Sequence, residues 1–164
     1  DSGGPGTFRG GAGVVRDVRV LTPKAILGTR MNGVKCPSWG VRGGKVGKSG
    51  YFIVNPGTPQ ERPIPPFGEN LELQYGDVVR VVTSGGGGWG NPAARDPLVV
   101  LQDVKDGFVS VHSAREDYGV VVEPDTWKID WRQTQERRAA LSSSPPLFDR
   151  GTFYEQMEKV RQGA

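Results

Sequence analysis

The sequence predicts an α+β fold in which a glycine-rich β region is followed by short helices. Glycine accounts for 25 of the 164 residues and proline for 13, a balance typical of strands joined by many turns. Short apolar runs such as residues 78–82 have the length and composition of strands. After residue 91, helix caps and a 3.6-residue apolar period replace the strand pattern.

Composition narrows the class of protein. Hydrophobic residues make up only 35% of the chain, so we expect it to be part of a larger subunit that shares its core. The net charge of +3 comes from scattered basic residues, which gives no support for nucleic-acid binding. No apolar segment is long enough for a membrane span.

The single cysteine, Cys36, excludes an internal disulfide and indicates a reducing compartment, so a cytoplasmic location is predicted. The sequence shows no signal peptide. It opens on Asp1 without an initiator methionine, and we expect residues 1–164 to be a fragment or a processed chain.

The β region contains four candidate strands. Residues 14–21 alternate in part and predict a half-buried strand, and residues 24–29 predict a second strand that pairs with the first. Residues 51–54 and 78–82 are apolar and predict buried strands. Residues 59–68 hold four prolines and predict an extended connector.

Four consecutive glycines follow the last of these strands and precede Trp89. They are Gly85, Gly86, Gly87 and Gly88. Ordering such a run costs more backbone entropy than ordering any other four residues. Two interpretations stay open: a flexible surface turn, or a loop whose exposed amides face a ligand or a partner protein.

Basic residues are concentrated in a second glycine-rich loop, residues 30–50, which contains no acid. They are Arg30, Lys35, Arg42, Lys45 and Lys48. This local excess of positive charge would attract a phosphate or an acidic surface. The Gly47-Lys48-Ser49 sequence is not a phosphate-binding P-loop, because the glycine required earlier is replaced by Arg42 and a strand-like segment follows.

Residues 1–13 form a further glycine-rich loop, in which Arg9 is the only charged residue after Asp1. Its guanidinium could hold a carboxylate or phosphate through two hydrogen bonds, or pair with an acid on the surface of the chain. We hypothesise that Arg9, Arg42 and Lys45 lie near an anionic group. The amides of Gly85 to Gly88 are predicted to line a pocket or a contact between subunits.

No catalytic residue can be named. The single histidine, His112, has no cysteine or acidic residue at ligand spacing, so the sequence predicts no metal site. A nucleophilic Cys36 would need a base close by, and His112 lies far along the chain.

The second half of the chain is predicted to be mainly helical. Asp96-Pro97 begins one helix and Gly107 ends it. Ser110 caps a second short helix. We divide the chain into a domain over residues 1–122 and a helical tail over residues 123–164. The tail comprises a polar helix at 130–141, a Ser/Pro linker at 142–146 and an amphipathic helix at 152–162, which would dock on this chain or on another.

Several stretches, taken together, resemble one family. They are DSGGPGTFRGGAG, CPSWGVRGGKVG, YFIVNPGT, the run from LELQYGDVVRV to TSGGGGWGNPAARDP, and LQDVKDGFVSVHSAREDYGVVV. Their order and spacing over about residues 1–122 resemble the carboxy-terminal part of hydantoinase B subunits. That family includes ATP-dependent N-methylhydantoinases, oxoprolinases, caprolactamase, and the acetone and acetophenone carboxylases.

The resemblance implies a complex in which an A-type subunit, holding ATP and Mg, phosphorylates a carbonyl oxygen. The B-type subunit contributes to the site where the activated amide is hydrolysed or the enolate is carboxylated. A divalent metal, if present, would lie elsewhere in the complex. The partners implied are the A-type subunit, the remaining portion of the B-type subunit and a small cyclic amide or ketone.

Three functions follow from these observations. The first is a component of an ATP-dependent, multi-subunit hydrolase of cyclic amides, of the hydantoinase, oxoprolinase or lactamase type. The second is a component of an ATP-dependent ketone carboxylase. The third is a noncatalytic interaction module, in which the glycine loops serve only packing between subunits. In none of these is the chain expected to act alone.

Overall fold

The structure, a computed structural model, describes residues 1–141 and 146–162. It confirms the predicted α+β class, with most strands before residue 83 and the α-helices after residue 96. The predicted linker at 142–146 lies almost entirely outside the described residues.

The strands of the described residues share an antiparallel arrangement. They are β1 (Val15–Arg19), β2 (Lys24–Arg30), β3 (Gly40–Val41), β4 (Tyr51–Val54), β5 (Arg62–Ile64), β6 (Phe67–Gln74), β7 (Val78–Val82), β8 (Val122–Glu123), β9 (Lys128–Ile129) and β10 (Phe148–Asp149). The helices are α1 (Pro97–Lys105), α2 (Val111–Glu116), α3 (Trp131–Ala140) and α4 (Thr152–Arg161).

The first core lies between a four-stranded sheet, in the order β1-β7-β4-β5, and the β2–β6 pair. Its buried side chains are Val20, Phe52, Val54, Ile64, Leu73 and Val79. The prediction that β1 pairs with β2 is wrong: β1 pairs with β7 and β2 with β6. The residues between β1 and β2 do not form a two-residue hairpin turn. Instead, the Val20 amide donates to the Asp77 carbonyl, and the Val20 carbonyl accepts from the Gly76 amide. At this point the chain leaves the four-stranded sheet and enters the β2–β6 pair.

The predicted extended connector at 59–68 is partly a strand. β5 pairs with β4 through Phe52 and Ile64, and β6 begins at Phe67. Proline has no amide hydrogen to donate to a neighbouring strand, so it is disfavoured in a central strand. An edge strand tolerates it where the proline nitrogen faces solvent. Pro63 fits this rule because β5 is the last strand of its sheet.

The second core is helical, and the predicted caps are confirmed. The Asp96 carboxylate accepts a hydrogen bond from the Leu98 amide at 2.8 Å, and the Ser110 hydroxyl accepts one from the Ser113 amide at 3.0 Å. Gly107, after α1, has a φ of 76°, which glycine adopts without strain. The buried side chains are Val100, Val104, Val109, Ala114, Tyr118, Val120 and Val122.

Residues 123–141 pack onto this helical core. β8 and β9 pair across the boundary proposed at residue 122, and the Val121 amide donates to the buried hydroxyl of Thr134 on α3 at 3.0 Å. The division into two domains stays a prediction. No helix in residues 1–141 and 146–162 combines the length and apolar character of a membrane span.

Tyr118 gives the helical core a pH-dependent stability. Its side chain is buried and its hydroxyl has no hydrogen-bond partner among the described residues. Burial disfavours the phenolate and raises the pKa of Tyr118 to about 12. The unfolded chain releases this proton near pH 10.

We therefore expect the contribution of Tyr118 to the free energy of unfolding to be complete below about pH 10 and to be lost as the pH rises toward about 12. Urea unfolding of the wild type and Tyr118→Phe across this range tests the prediction. The other titrating groups cancel in the difference between the two proteins. Parallel pH dependences would contradict it.

Candidate functional site

Glycine-rich segments from three parts of the chain lie side by side and form what we call the glycine layer: residues 2–6 and 10–13, 38–41 and 44–48, and 84–90. Backbone hydrogen bonds join them directly. The bonds are Gly4 N to Gly86 O at 2.8 Å, Gly86 N to Gly11 O at 2.9 Å, Gly88 N to Lys45 O at 2.9 Å, Lys45 N to Pro5 O at 2.7 Å and Gly85 N to Lys48 O at 3.0 Å. Main chain thus packs against main chain where a domain normally packs side chains.

The layer has no room for side chains at most of its glycines. A Cβ atom built on Gly10 would overlap the carbonyl oxygen of Gly86, and one built on Gly88 would overlap that of Pro5. By contrast, a Cβ on Gly11 would meet no atom within 4 Å. The glycines are therefore required for close approach of backbones.

The expectation that the polyglycine amides are open is wrong for three of the four. The amides of Gly85, Gly86 and Gly88 donate to carbonyls of this same chain. The physical reason is that buried backbone donors must find acceptors, and the neighbouring glycine segments supply them. Whether any of these glycines also binds substrate or phosphate stays a prediction.

Arg9 is held by an internal carboxylate. Its Nε and Nη2 atoms each lie 3.3 Å from one oxygen of Asp103, and Arg95 Nη2 lies 2.8 Å from the same carboxylate. The three side chains are only 11–15% exposed. Arg9 also lies over Phe108, 4.7 Å from the ring centroid. This cluster links the glycine layer to α1.

Sequence reasoning did not find Arg95 or Asp103. The available signal was the position of Asp103 between Val100 and Val104 on the buried face of α1. A charged residue within an apolar stripe needs a buried partner of opposite charge.

Arg42 has a different neighbour from Arg9. It has a φ of 51°, which is uncommon for a residue with a side chain. Its guanidinium lies 5.8 Å from the centroid of Trp89, whose ring contacts Phe8 with 5.6 Å between centroids. Both aromatic side chains are exposed. Exposed aromatic residues beside an arginine are typical of contact surfaces.

Lys45 borders a cleft of about 700 Å³, within the range of small-molecule sites. Its Nζ atom lies 2.6 Å from Asp117 Oδ1, and Ser113 Oγ donates to the other oxygen of Asp117 at 2.6 Å. Besides Lys45, the cleft is lined by Gly43, Gly44, Asn91, Asp117 and Tyr154, and its other charged residues are Asp149, Arg150, Glu155 and Glu158. The glycines of the cleft are thus Gly43 and Gly44, and the run 85–88 does not line it.

The predicted helix at 152–162 docks one end on this chain. Tyr154 of α4 meets Trp39 edge to face with 5.5 Å between ring centroids, and β10 pairs with β3 just before the helix. Met157 and Val160, further along α4, are exposed. The first turn of α4 therefore forms a wall of the cleft.

The structure thus places Arg9, Arg42 and Lys45 against three different partners: a buried carboxylate, an aromatic pair and the edge of the cleft. Within residues 1–141 and 146–162, no three His, Cys, Asp or Glu side chains come close enough to share a metal ion. Asp117 and Asn91, which sequence reasoning did not select, are polar residues that line the cleft with Lys45.

The chain is an α+β portion of a larger subunit in which a glycine layer lies beside a polar cleft, and two of the proteins that it matches are named as enzyme subunits. Residues 1–92 match the family described as hydantoinase B/oxoprolinase. The chain belongs to that family.

Two relatives and one solved structure of similar fold illustrate the match. A protein of Pseudomonas sp. (strain NS671), provisionally named as the B-type component of a D-/L-hydantoinase, is 34% identical over 82% of this chain and 22% of its own length. The crystal structure of ATP-dependent caprolactamase from Pseudomonas jessenii has a TM-score of 0.66 and 30% identity over 85% of this chain and 24% of its own. Nucleotide-free acetone carboxylase has a TM-score of 0.59 and covers 98% of this chain and 26% of its own.

The acetone carboxylase match, at 22% identity, shows the fold alone. The chain spans about a quarter of the length of these relatives. It therefore corresponds to one portion of a larger subunit.

Proposed function

We propose that the chain is a component of an ATP-dependent, multi-subunit hydrolase of cyclic amides. The observation that carries the proposal is the match to caprolactamase, at 30% identity over 85% of this chain. Caprolactam and hydantoin, after which two relatives above 30% identity are named, are both cyclic amides. Ketone carboxylation is the second candidate, supported by the fold of acetone carboxylase.

The proposed partners are an A-type subunit, which binds ATP and Mg, and the rest of the B-type subunit. Because the chain corresponds to about a quarter of its relatives, we do not expect it to act alone. We place the complex in the cytoplasm, since the exposed Cys36 is the only cysteine of the sequence.

Within this chain, the cleft beside Lys45 is the proposed contact with substrate. Its volume suits a small ring, and a cationic lysine can stabilise an oxygen that gains negative charge. Asp117 holds the ammonium at the rim. We retain Arg42 as a proposed anion contact, because it is an exposed cation next to the glycine layer.

ATP hydrolysis by the assembled complex tests the reaction class. We expect hydantoins or caprolactam to stimulate the release of phosphate, with the ring-opened acid formed in equal amount. Stimulation only by a ketone with bicarbonate would replace the hydrolase by the carboxylase. A complex that contains this chain but shows no ATP hydrolysis with either class of substrate would leave only the noncatalytic interaction module.

Lys45→Met is expected to lower kcat/KM for the cyclic amide about tenfold, the factor that corresponds to about 1.4 kcal/mol of lost transition-state stabilisation. The physical reason is the loss of the ammonium at this rim, while the length of the side chain is kept. Lys24→Met is the matched control, because Lys24 forms an exposed ion pair with Glu72 on the β2–β6 pair. Equal kcat/KM values for the two variants would contradict the placement of Lys45 in the substrate site.

Arg42→Ala is expected to lower ATP-dependent turnover of the complex while leaving the melting temperature of the chain almost unchanged. The guanidinium contacts an exposed ring, so its removal creates no buried cavity. Unchanged turnover would withdraw Arg42 as an anion contact.

A further inference from the structure

β1 is an exposed strand at one edge of the four-stranded sheet. All five of its residues are exposed, with Val15 at 60% and Val18 at 50%. One edge of β1 pairs with β7. In the part of the chain that the structure describes, no strand pairs with the other edge.

The free backbone groups of this edge can be assigned. Val20 N donates to Asp77 O at 2.8 Å and Val14 O accepts from Thr83 N at 2.9 Å, so these residues face the β7 side. Backbone groups alternate in direction along a strand. The amides and carbonyls of Val15, Asp17 and Arg19 therefore point away from the sheet.

The two edges of the sheet differ in their protection. At the opposite edge, β5 carries Pro63, which blocks pairing. β1 has no proline, no glycine and a regular register with β7. An exposed regular edge with valines is a template for another strand.

Side chains define the chemistry of the strand that fits. Val18 lies opposite Val79, a buried residue of the first core, so an apolar residue beside Val18 would extend that core. Asp17 is already paired with Arg80 at 2.7 Å. Arg16 and Arg19 are exposed and would pair with acids across the new edge. Their charges also disfavour a basic or purely apolar strand.

We propose that β1 receives an added strand from the part of the B-type subunit that lies outside these 164 residues. The occupant is an extended segment with apolar and acidic residues. This part of the subunit is the preferred source because the matched relatives extend over about four times the length of this chain. The inference rests on the proposed assembly of a complete B-type subunit.

Photo-crosslinking in the assembled complex tests the proposal. We replace Val15 with p-benzoylphenylalanine, irradiate the native particle and identify the linked peptide by mass spectrometry. Gln60, exposed in the turn before β5, is the control position. We expect a crosslink from position 15 to one extended segment of the B-type subunit. A crosslink to the A-type subunit, to a second copy of this chain, or no yield above the control overturns the proposal.

A pair of variants tests the backbone directly. Val15→Pro removes an outward amide at the first residue of β1, where proline is tolerated, and Val15→Thr keeps that amide. We expect about tenfold less of the remaining portion of the B-type subunit to co-purify with the proline variant than with the threonine variant. Equal recovery overturns the proposal.

Hydrogen exchange at residues 15–19 in the wild-type particle does not depend on any variant. We expect the outward amides of Val15, Asp17 and Arg19 to exchange at least about tenfold more slowly in the particle than in the isolated chain, because pairing with a second strand protects them. Equal rates overturn the proposal. These measurements need no substrate, so failure of the amide-hydrolase assay leaves their outcome readable.

Discussion

Replacing Gly10 by alanine is expected to lower the free energy of unfolding by about 3 kcal/mol or more, at or beyond the upper end of the cost of overpacking. The new methyl group would overlap the Gly86 carbonyl, with backbone rather than a movable side chain in its way. The loss is a large part of the stability of an ordinary domain, about 5–15 kcal/mol.

The neighbouring residue supplies the control. Gly11→Ala places a methyl group in open space, so we expect stability to be unchanged or raised by up to about 1 kcal/mol through the smaller entropy of the unfolded chain. Urea unfolding followed by tryptophan fluorescence measures both variants. Similar losses for both, or none for either, would contradict the main-chain packing of the glycine layer.

Replacing Asp103 by asparagine is expected to lower the free energy of unfolding by about 3 kcal/mol, since breaking a buried ion pair leaves uncompensated charge. Arg9 and Arg95 would keep their charges in a place where they are only 14–15% exposed. Asparagine has nearly the same shape as aspartate, so the change in the free energy of unfolding measures the loss of the negative charge.

Asp17→Asn is the matched control for Asp103→Asn. Asp17 also makes a two-bond contact with an arginine, Arg80, at 2.8 and 2.7 Å, but the two side chains are 42% and 38% exposed, respectively, and therefore reach water. Water screens such a pair, so we expect a much smaller loss. Chemical unfolding at one salt concentration compares the two variants. Equal losses would show that burial does not set the strength of the Arg9–Asp103–Arg95 cluster.

Local signals predicted the elements well. Asp96 and Ser110 are caps as expected, and the helices predicted at 130–141 and 152–162 are present as α3 and α4. These signals act within one helical turn, so neighbouring residues are sufficient to reveal them. The strands at 51–54 and 78–82 were equally clear because an apolar run of that length fits a buried strand.

Pairing and site assembly were much less predictable. β2 follows β1 in sequence but joins β6, because the chain changes sheets at Val20. The cation of Arg9 was recognised as a binder of carboxylates, but its partner, Asp103, belongs to a helix far along the chain. The cleft likewise joins residues 43–45 to Asn91 and α4, and no local pattern brings these together.

By itself, the sequence determined the α+β class, the helix boundaries and the membership in the hydantoinase B family, since each depends on residue type and order along the chain. Tertiary structure alone decided what the glycines do. Gly10 and Gly86 meet only after distant segments come together, and the carbonyl of one then occupies the space that a side chain on the other would need.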